Sequence, residues 1–290
     1  RIRDKFSDVD IEVVCEPGSR GLNPKVSNLL SCFSHAKHEI LLISDSNVRA
    51  KPEYLGETVS KLEDENVMLV SNVIRGTDER SFSAGLENLH LNTFVAGNVT
   101  FLQAIVGRQC VVGKSMMMRR ETLELLGGLE AYKDVLAEDY VIGRDLSRLG
   151  KKVSLSNHVV DNVNTDFSMG QFYNRHVRWS KLRYRLAGPA YGFEFVANPV
   201  LLATLMLPAS FHNWLFAALW GATCVLKVIS DIHKGHIIGS RMRLHRYLFS
   251  PLKDLMTGYF NVVPFFERTV TWRGNKMLIG TDTRLEPPKG

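Results

Sequence analysis

Along the first half of the chain, short apolar runs alternate with stretches in which apolar positions recur every three or four residues. Residues 11–15 (IEVVC) form a β-branched run that predicts a strand. A loop with Pro17, Gly18 and Gly21 follows. Asn23-Pro24 then supplies a helix cap and a first-turn proline, with Val26, Leu29, Leu30 and Phe33 at helical spacing behind them. Residues 39–44 (EILLIS) predict a buried strand ending at Asp45. The same patterns predict helices over 52–65, 84–106, 121–126 and 138–149, and strands over 67–73 and 111–118. Strands and helices in this order predict an α/β fold with a mostly parallel sheet and helices on both faces. In such a sheet, ligands gather at the carboxyl ends of the strands.

The second half follows a different pattern. Between Glu194 and Lys227 there is no Asp, Glu, Lys or Arg. A spanning helix needs about 20 apolar residues, so the run holds one span or a tight hairpin. Pro208, followed by Ser210, His212 and Asn213, predicts a break near its middle, with helices over about 195–210 and 213–231. A third stretch, 248–266, is interrupted by Lys253, Asp254 and Pro264 and reads as interfacial or re-entrant. The chain thus divides into an α/β domain over 1–190 and a membrane-associated region over 191–290. A buried hairpin in a soluble protein is the alternative, and the length of the uncharged run favours the membrane.

Charge changes the picture in the same direction. The formal net charge is +6. Residues 1–166 hold 20 Lys and Arg against 24 Asp and Glu, whereas 167–290 hold 16 against 6. The basic excess calls for an anionic partner: nucleic acid, phosphate or a membrane surface. Because it lies against apolar segments and accompanies no nucleic-acid motif, a nucleic-acid partner is not expected. Lys234, Arg241, Arg243 and Arg246 beside the apolar helices predict a cytoplasmic basic loop. Cys15, Cys32, Cys110 and Cys224 form no close pair, which excludes a disulfide scaffold or a CxxC metal site. Oligomeric state leaves no signal in the pattern.

Three polar groups are candidates for chemistry. Asp45-Ser46-Asn47 leaves an apolar strand at the ligand edge. Asp45 and Asn47 offer oxygen ligands for a divalent cation, or equally an Asx turn that ends the strand. Glu138-Asp139 follows the apolar run 135–137. It reads either as an acidic first helical turn or as a site carboxylate pair with Asp139 as general base. Arg175-His176-Val177-Arg178-Trp179 lies in a stretch, Phe167 to Phe193, that lacks acidic residues. Arg175 and Arg178 share a helix face and could clamp a phosphate, and Trp179 could stack on a sugar or base or anchor at a bilayer interface.

Taken in order, these groups resemble the motifs of processive and lipid-directed glycosyltransferases of the GT-A fold, related to family 2: Asp-x-Asn after a strand, then Glu-Asp, then Arg-x-x-Arg-Trp. The wording around them is similar to the ceramide glucosyltransferases of family 21. The resemblance rests on residues 23–29 (NPKVSNL), 43–49, 113–120 (GKSMMMRR), 127–129, 136–140 (LAEDY), 175–183 (RHVRWSKLR) and 268–273. It implies an inverting, membrane-bound, multi-pass enzyme that moves glucose from UDP-glucose to the primary hydroxyl of ceramide or a similar lipid. Its catalytic domain would face the cytoplasm, at a bacterial inner membrane or the Golgi or ER. By carry-over, Asp45 and Asn47 hold the divalent cation (Mg2+ or Mn2+), and Asp139 is the base. Arg175, Arg178 and Trp179 close the site over diphosphate and acceptor. Glu138, Asn23 and Lys25 line the substrate, although helix capping explains Asn23 equally well. The family's first aspartate, and the N-terminal anchor of many members, are expected upstream of Arg1. Asn47 stands where the common motif has a second carboxylate. The alternatives are a glycolipid transferase with another acceptor (a bacterial hopanoid lipid) or donor (UDP-GlcNAc), and an inactive membrane protein that binds nucleotide-sugar or lipid.

Overall fold

The computed structural model describes residues 2–287 except 17, 108, 109 and 273; Arg1, Pro17 and Arg273, used above, lie outside the described residues. The central sheet has five strands: β1 (Ile40–Ser44), β2 (Val48–Arg49), β3 (Val67–Thr77), β4 (Ser115–Arg119) and β5 (Lys152–Val163). Their spatial order is β1-β4-β3-β5-β2. Only β3 and β5 pair in parallel; β1 with β4, β3 with β4, and β2 with β5 are antiparallel. The sheet is therefore mixed, and the expected mostly parallel pairing is corrected. An apolar run specifies a strand but not its direction, and β4 enters reversed between β1 and β3. As a result β1, β3 and β5 still run the same way, and their carboxyl ends share one edge.

Residues 11–15, expected as a strand, are not in the sheet. Val13 there is exposed, so β-branching alone did not secure a pairing. The strand predicted over 111–118 begins only at Ser115. Strand β5 has no counterpart in the sequence reading. Its buried positions include Ser156, His158 and Asn162, which hide the apolar signal of an inner strand.

Helices cover both faces, as expected. On one, α1 (Pro24–His35), α5 (Arg120–Leu125) and α6 (Glu138–Arg148) bury Val26, Leu30, Leu123, Val141, Ile142 and Leu146 against Met116 and Met118 of β4. On the other, α2 (Tyr54–Val59) leads into a short 3-10 turn whose Leu62 packs on Val70 and Met117. The alternation of Met116, Met117 and Met118 between faces is the period-two signature of a strand. The helix predicted over 84–106 is α3 (Phe82–His90) and α4 (Ala96–Ala104), joined without interruption by a π turn at Leu91–Val95.

A long helix, α7 (Met169–Ala187), links this unit to the apolar region. It opens on a full capping box between Ser168 and Gln171. Phe172 and Val177 pack with Leu86 of α3 and with Phe260 of the later helix α10 (Ser250–Phe260). The helix expected over 195–210 is broken: a single turn at Phe193–Val196, α8 (Pro199–Leu205) capped by Asn198, and a 3-10 turn over Leu207–Phe211. The second, α9 (Leu215–Ile237), runs further than expected. Among the described residues it is the one helix long and apolar enough to cross a membrane, and little of it is buried. Segment 248–266 contains α10, whose Lys253 and Asp254 turn inward. Lys253 pairs with Asp254 at 2.7 Å and Lys227 with Asp254 at 3.2 Å, so the charges that interrupt its apolar pattern dock it on α9.

The last strands form a second sheet, β6 (Thr269–Trp272), β7 (Asn275–Ile279) and β8 (Leu285–Glu286), antiparallel throughout. It returns to the first half of the chain. Val270, Met277, Ile279 and Leu285 pack on Leu136. The Leu136 N–H donates to the Thr283 carbonyl (2.9 Å), and the Leu285 N–H to the Asp134 carbonyl (2.7 Å).

Candidate active site

The carboxyl edge of the sheet gathers most of the residues singled out from sequence. Antiparallel pairing sets Ser44 of β1 opposite Ser115 of β4, so the next residue of one strand, Asp45, meets the preceding residue of the other, Lys114. The Lys114 ammonium lies 2.8 Å from Asp45 Oδ2 and donates to Asn47 Oδ1 at 2.8 Å. Asn47 is fixed in turn by donating to the Val163 carbonyl at the end of β5 (3.1 Å).

Helix α1 brings the second lysine. Asn23 Oδ1 caps it by accepting from the backbone N–H groups of Lys25 (2.8 Å) and Val26 (3.1 Å). The Asn23 amide donates to the Val135 carbonyl (2.6 Å) and to Glu138 Oε2 (3.2 Å). Gly21 supports this approach, because a Cβ there would stand 2.5 Å from the Lys133 carbonyl oxygen. Asn23 is therefore both cap and tether, and it delivers Lys25 into the site. The Lys25 ammonium lies 2.9 Å from Glu138 Oε1 and 3.6 Å from Asp45 Oδ1, and donates to the Gly113 carbonyl at 2.9 Å.

Glu138 and Asp139 occupy the first turn of α6, where the helix dipole favours carboxylates. Asp139 is held by two backbone donors, Gly113 N–H to Oδ2 (2.9 Å) and Tyr140 N–H to Oδ1 (2.8 Å). A Cβ at Gly113 would lie 2.5 Å from Asp139 Oδ2, so only glycine lets the backbone approach this closely. Three carboxylates and two ammonium groups thus form one network. Burial raises the Glu138 carboxyl above its ordinary value; Lys25 opposes this and Asp139 adds to it. Asp45 sits below its ordinary value, burial being outweighed by Lys114 and Lys25. Burial pushes Lys114 down despite Asp45, whereas Lys25 is raised because its carboxylates outweigh burial.

Helix α7 separates the three residues of its motif. Arg175 is committed to Glu87, at 2.7 Å, and lies over the Phe167 ring at 4.4 Å. Glu87 is fully buried in α3 and also bonds His176 Nε2 at 2.9 Å. Burial opposes the charge on Glu87, but His176 and Arg175 hold it below its ordinary value. Arg178 has no hydrogen-bond or ion-pair partner among the described residues, and its guanidinium lies 5.3 Å from the ring centre of Trp272 in β6. Burial, then Arg175, bring it down to about 10, with Glu138 and Glu87 opposing. Trp179 turns elsewhere. It is half-buried against Tyr54, Ile74, Leu91 and Val160, with its ring edge-on to His176.

The structure therefore brings together Asn23, Lys25, Asp45, Asn47, Glu138 and Asp139, sets Arg178 within electrostatic reach, and gives Arg175 and Trp179 to packing on α3 and the sheet. Sequence reasoning missed Gly113 and Lys114 as site residues, Glu87 as the partner of Arg175, and Trp272 as the surface under Arg178. The Gly-Lys pair ahead of an apolar strand was the available signal for the first two. The oxygens of Asp45 and Asn47 converge on one cationic atom, the arrangement a bound cation needs. Among the described residues, however, no three His, Cys, Asp or Glu side chains gather into a metal cage.

The chain is 26% identical over 300 residues to ceramide glucosyltransferase 3 of Caenorhabditis elegans, which covers 98% of this chain and 63% of the relative. It is 24% identical over 299 residues to ceramide glucosyltransferase 1 of the same organism, covering 98% and 62%. The chain thus spans a little under two thirds of the length of these relatives. The profile of glycosyl transferase family 21 matches residues 1–285, which takes in every element that builds the site, and the chain belongs to that family.

Proposed function

We propose that the protein transfers glucose from UDP-glucose to the primary hydroxyl of a membrane lipid, ceramide or one similar to it, with inversion at the anomeric carbon. The observation that carries this reading is the placement of Asp139: a half-buried carboxylate, oriented by two backbone N–H groups, at the rim of a site that holds Lys25, Lys114 and Arg178. Inversion requires one base on the side opposite the leaving group and positive charge where the diphosphate departs. In the proposed step the acceptor oxygen bonds to the anomeric carbon as its proton passes to Asp139. The bond from that carbon to the phosphate oxygen breaks, and the electron pair leaves with UDP.

The developing charge falls to Lys25, Lys114 and Arg178. Arg178 is held against an aromatic face and lacks a protein anion of its own, so it is available to a phosphate. Asp45 and Asn47 are the groups that would hold a divalent cation, Mg2+ or Mn2+, which supplies further neutralisation of a diphosphate. Glu87 fixes Arg175 and thereby the register of α7 over the site. The membrane reading draws on α9 and on exposed apolar side chains around it, including Phe211, Trp214 and Leu215.

The test is an acceptor screen in lipid vesicles with labelled UDP-sugars and ceramide, diacylglycerol or a hopanoid as acceptor. Ceramide and UDP-glucose are expected to give product, and Asp139→Asn is expected to abolish turnover while UDP-glucose still binds. Turnover of Asp139→Asn near the wild-type rate removes Asp139 as the base. Product on another lipid, and none on ceramide, overturns the acceptor.

A further inference from the structure

At the carboxyl end of β3, beside β2, the loop that follows α9 leaves a cavity of about 480 Å³. Five arginines line it: Arg49, Arg80, Arg241, Arg243 and Arg246. The three acids that also line it have commitments. Asp78 pairs with Arg49 at 2.7 Å, Glu79 lies 3.8 Å from Arg246, and Asp161 is gripped by Arg75 at 2.5 Å. Arg80, Arg241 and Arg243 have no side-chain hydrogen-bond or ion-pair partner among the described residues. Three uncompensated guanidiniums at one cavity constitute a standing positive field.

The cavity is built rather than a chance crevice between loops. Buried Arg75 of β3 donates to the carbonyls of Ile238 (3.1 Å) and Gly239 (2.7 Å), which ties the loop to the sheet at the end of α9. Arg246 reaches back to the Ser81 carbonyl at 3.3 Å and pins its other end. Gly76, which lines the cavity, cannot carry a side chain, because a Cβ would stand 2.4 Å from Asn88 Oδ1. Just past the arginines the chain exposes Leu244 and Leu248.

We infer that this cavity binds a phosphate group through Arg80, Arg241 and Arg243. Planar guanidiniums match phosphate oxygens in pairs, and the site offers more donors than a lone carboxylate could use. The phosphate has two possible sources, a phospholipid headgroup whose chains would lie along Leu244 and Leu248, or a free phosphate compound.

The test uses purified protein, the triple variant Arg80→Gln/Arg241→Gln/Arg243→Gln, and a charge-matched control, Lys5→Gln/Lys51→Gln/Lys276→Gln. Binding is measured to phosphatidylglycerol vesicles and to phosphatidylcholine vesicles, and inorganic phosphate and glycerol phosphate are titrated by calorimetry. The triple variant is expected to bind phosphatidylglycerol vesicles about 10- to 100-fold more weakly than wild type, with the control within about 3-fold of it. Calorimetric binding of soluble phosphate that the triple variant loses, with vesicle binding unchanged, also supports the site and identifies the free compound as the source. Equal losses in the triple variant and the control, or no loss of either ligand in the triple variant, overturn the proposal.

Discussion

Replacing Lys25 by Met removes one cation from among three carboxylates while keeping most of the side chain's volume. The ammonium is mostly buried and lies 2.9 Å from Glu138 Oε1 and 3.6 Å from Asp45 Oδ1. At an effective dielectric of about 20, unit charges at such distances attract by roughly 4.5–6 kcal/mol before desolvation is counted. Desolvation offsets part of this, and breaking a buried pair from one side costs about 3–5 kcal/mol when the partner stays charged. Glu138 has an escape, since burial already raises its carboxyl. Without Lys25 it rises further, and the folded protein then holds a proton that the unfolded chain releases. A raised folded value makes stability fall as pH climbs from the ordinary carboxyl range through that value. The gap between wild type and Lys25→Met is therefore expected to be about 1 kcal/mol at pH 5 and about 3 kcal/mol at pH 8. Urea unfolding in detergent, followed by tryptophan fluorescence at both pH values, measures it. Adding Glu138→Gln should restore about 2 kcal/mol at pH 8, because no unpaired charge then remains. A pH-independent loss under about 1 kcal/mol, with the second substitution purely additive, refutes the network as described.

Two further outcomes are expected. Gly113→Ala places a methyl group within 2.5 Å of Asp139 Oδ2, so turnover should fall at least about 10-fold while stability drops by only about 1–3 kcal/mol; rates and unfolding midpoints check this. Glu87→Gln should lose about 2 kcal/mol at neutral pH. Because the folded Glu87 value is depressed, its contribution is present above the ordinary carboxyl range and fades as pH falls below it, so the wild-type and variant stability curves should converge toward acid in pH-resolved melts.

What could be read from the sequence follows from how each signal is written. Asp45 and Glu138-Asp139 stand directly after apolar runs, so their arrival at one edge of the sheet was legible once strands and helices were placed. Asn23 was legible as a cap, but its tether to Glu138 is a contact across more than a hundred residues and leaves no local trace. Lys114 was hidden for a similar reason: its meeting with Asp45 depends on β4 running antiparallel to β1, a direction that an apolar run does not encode. The Arg175/Arg178 spacing correctly indicated a shared helix face. It could not show that a buried carboxylate on α3 would claim the first and leave the second free. Strand β5 escaped because Ser156, His158 and Asn162 place polar side chains at buried positions, so the run lacks an apolar signature; Ser156 and His158 are hydrogen-bonded there. In the apolar region, composition located α9 and the break near Pro208, where the chain makes a 3-10 turn, but not the earlier fracture at Asn198-Pro199, which starts a new helix.

The return of the final strands to the first half of the chain has a consequence for synthesis. Trp272 lies under the Arg178 guanidinium, and the Thr283 and Leu285 backbone is stitched to residues 134–136, beside Glu138 and Asp139. Until residues 269–286 have been made, the site lacks one wall and the segment leading into its acids is untethered. The apolar helix α9 is made some fifty residues earlier. The order of translation thus delays completion of the site until after the apolar helix α9 has been made.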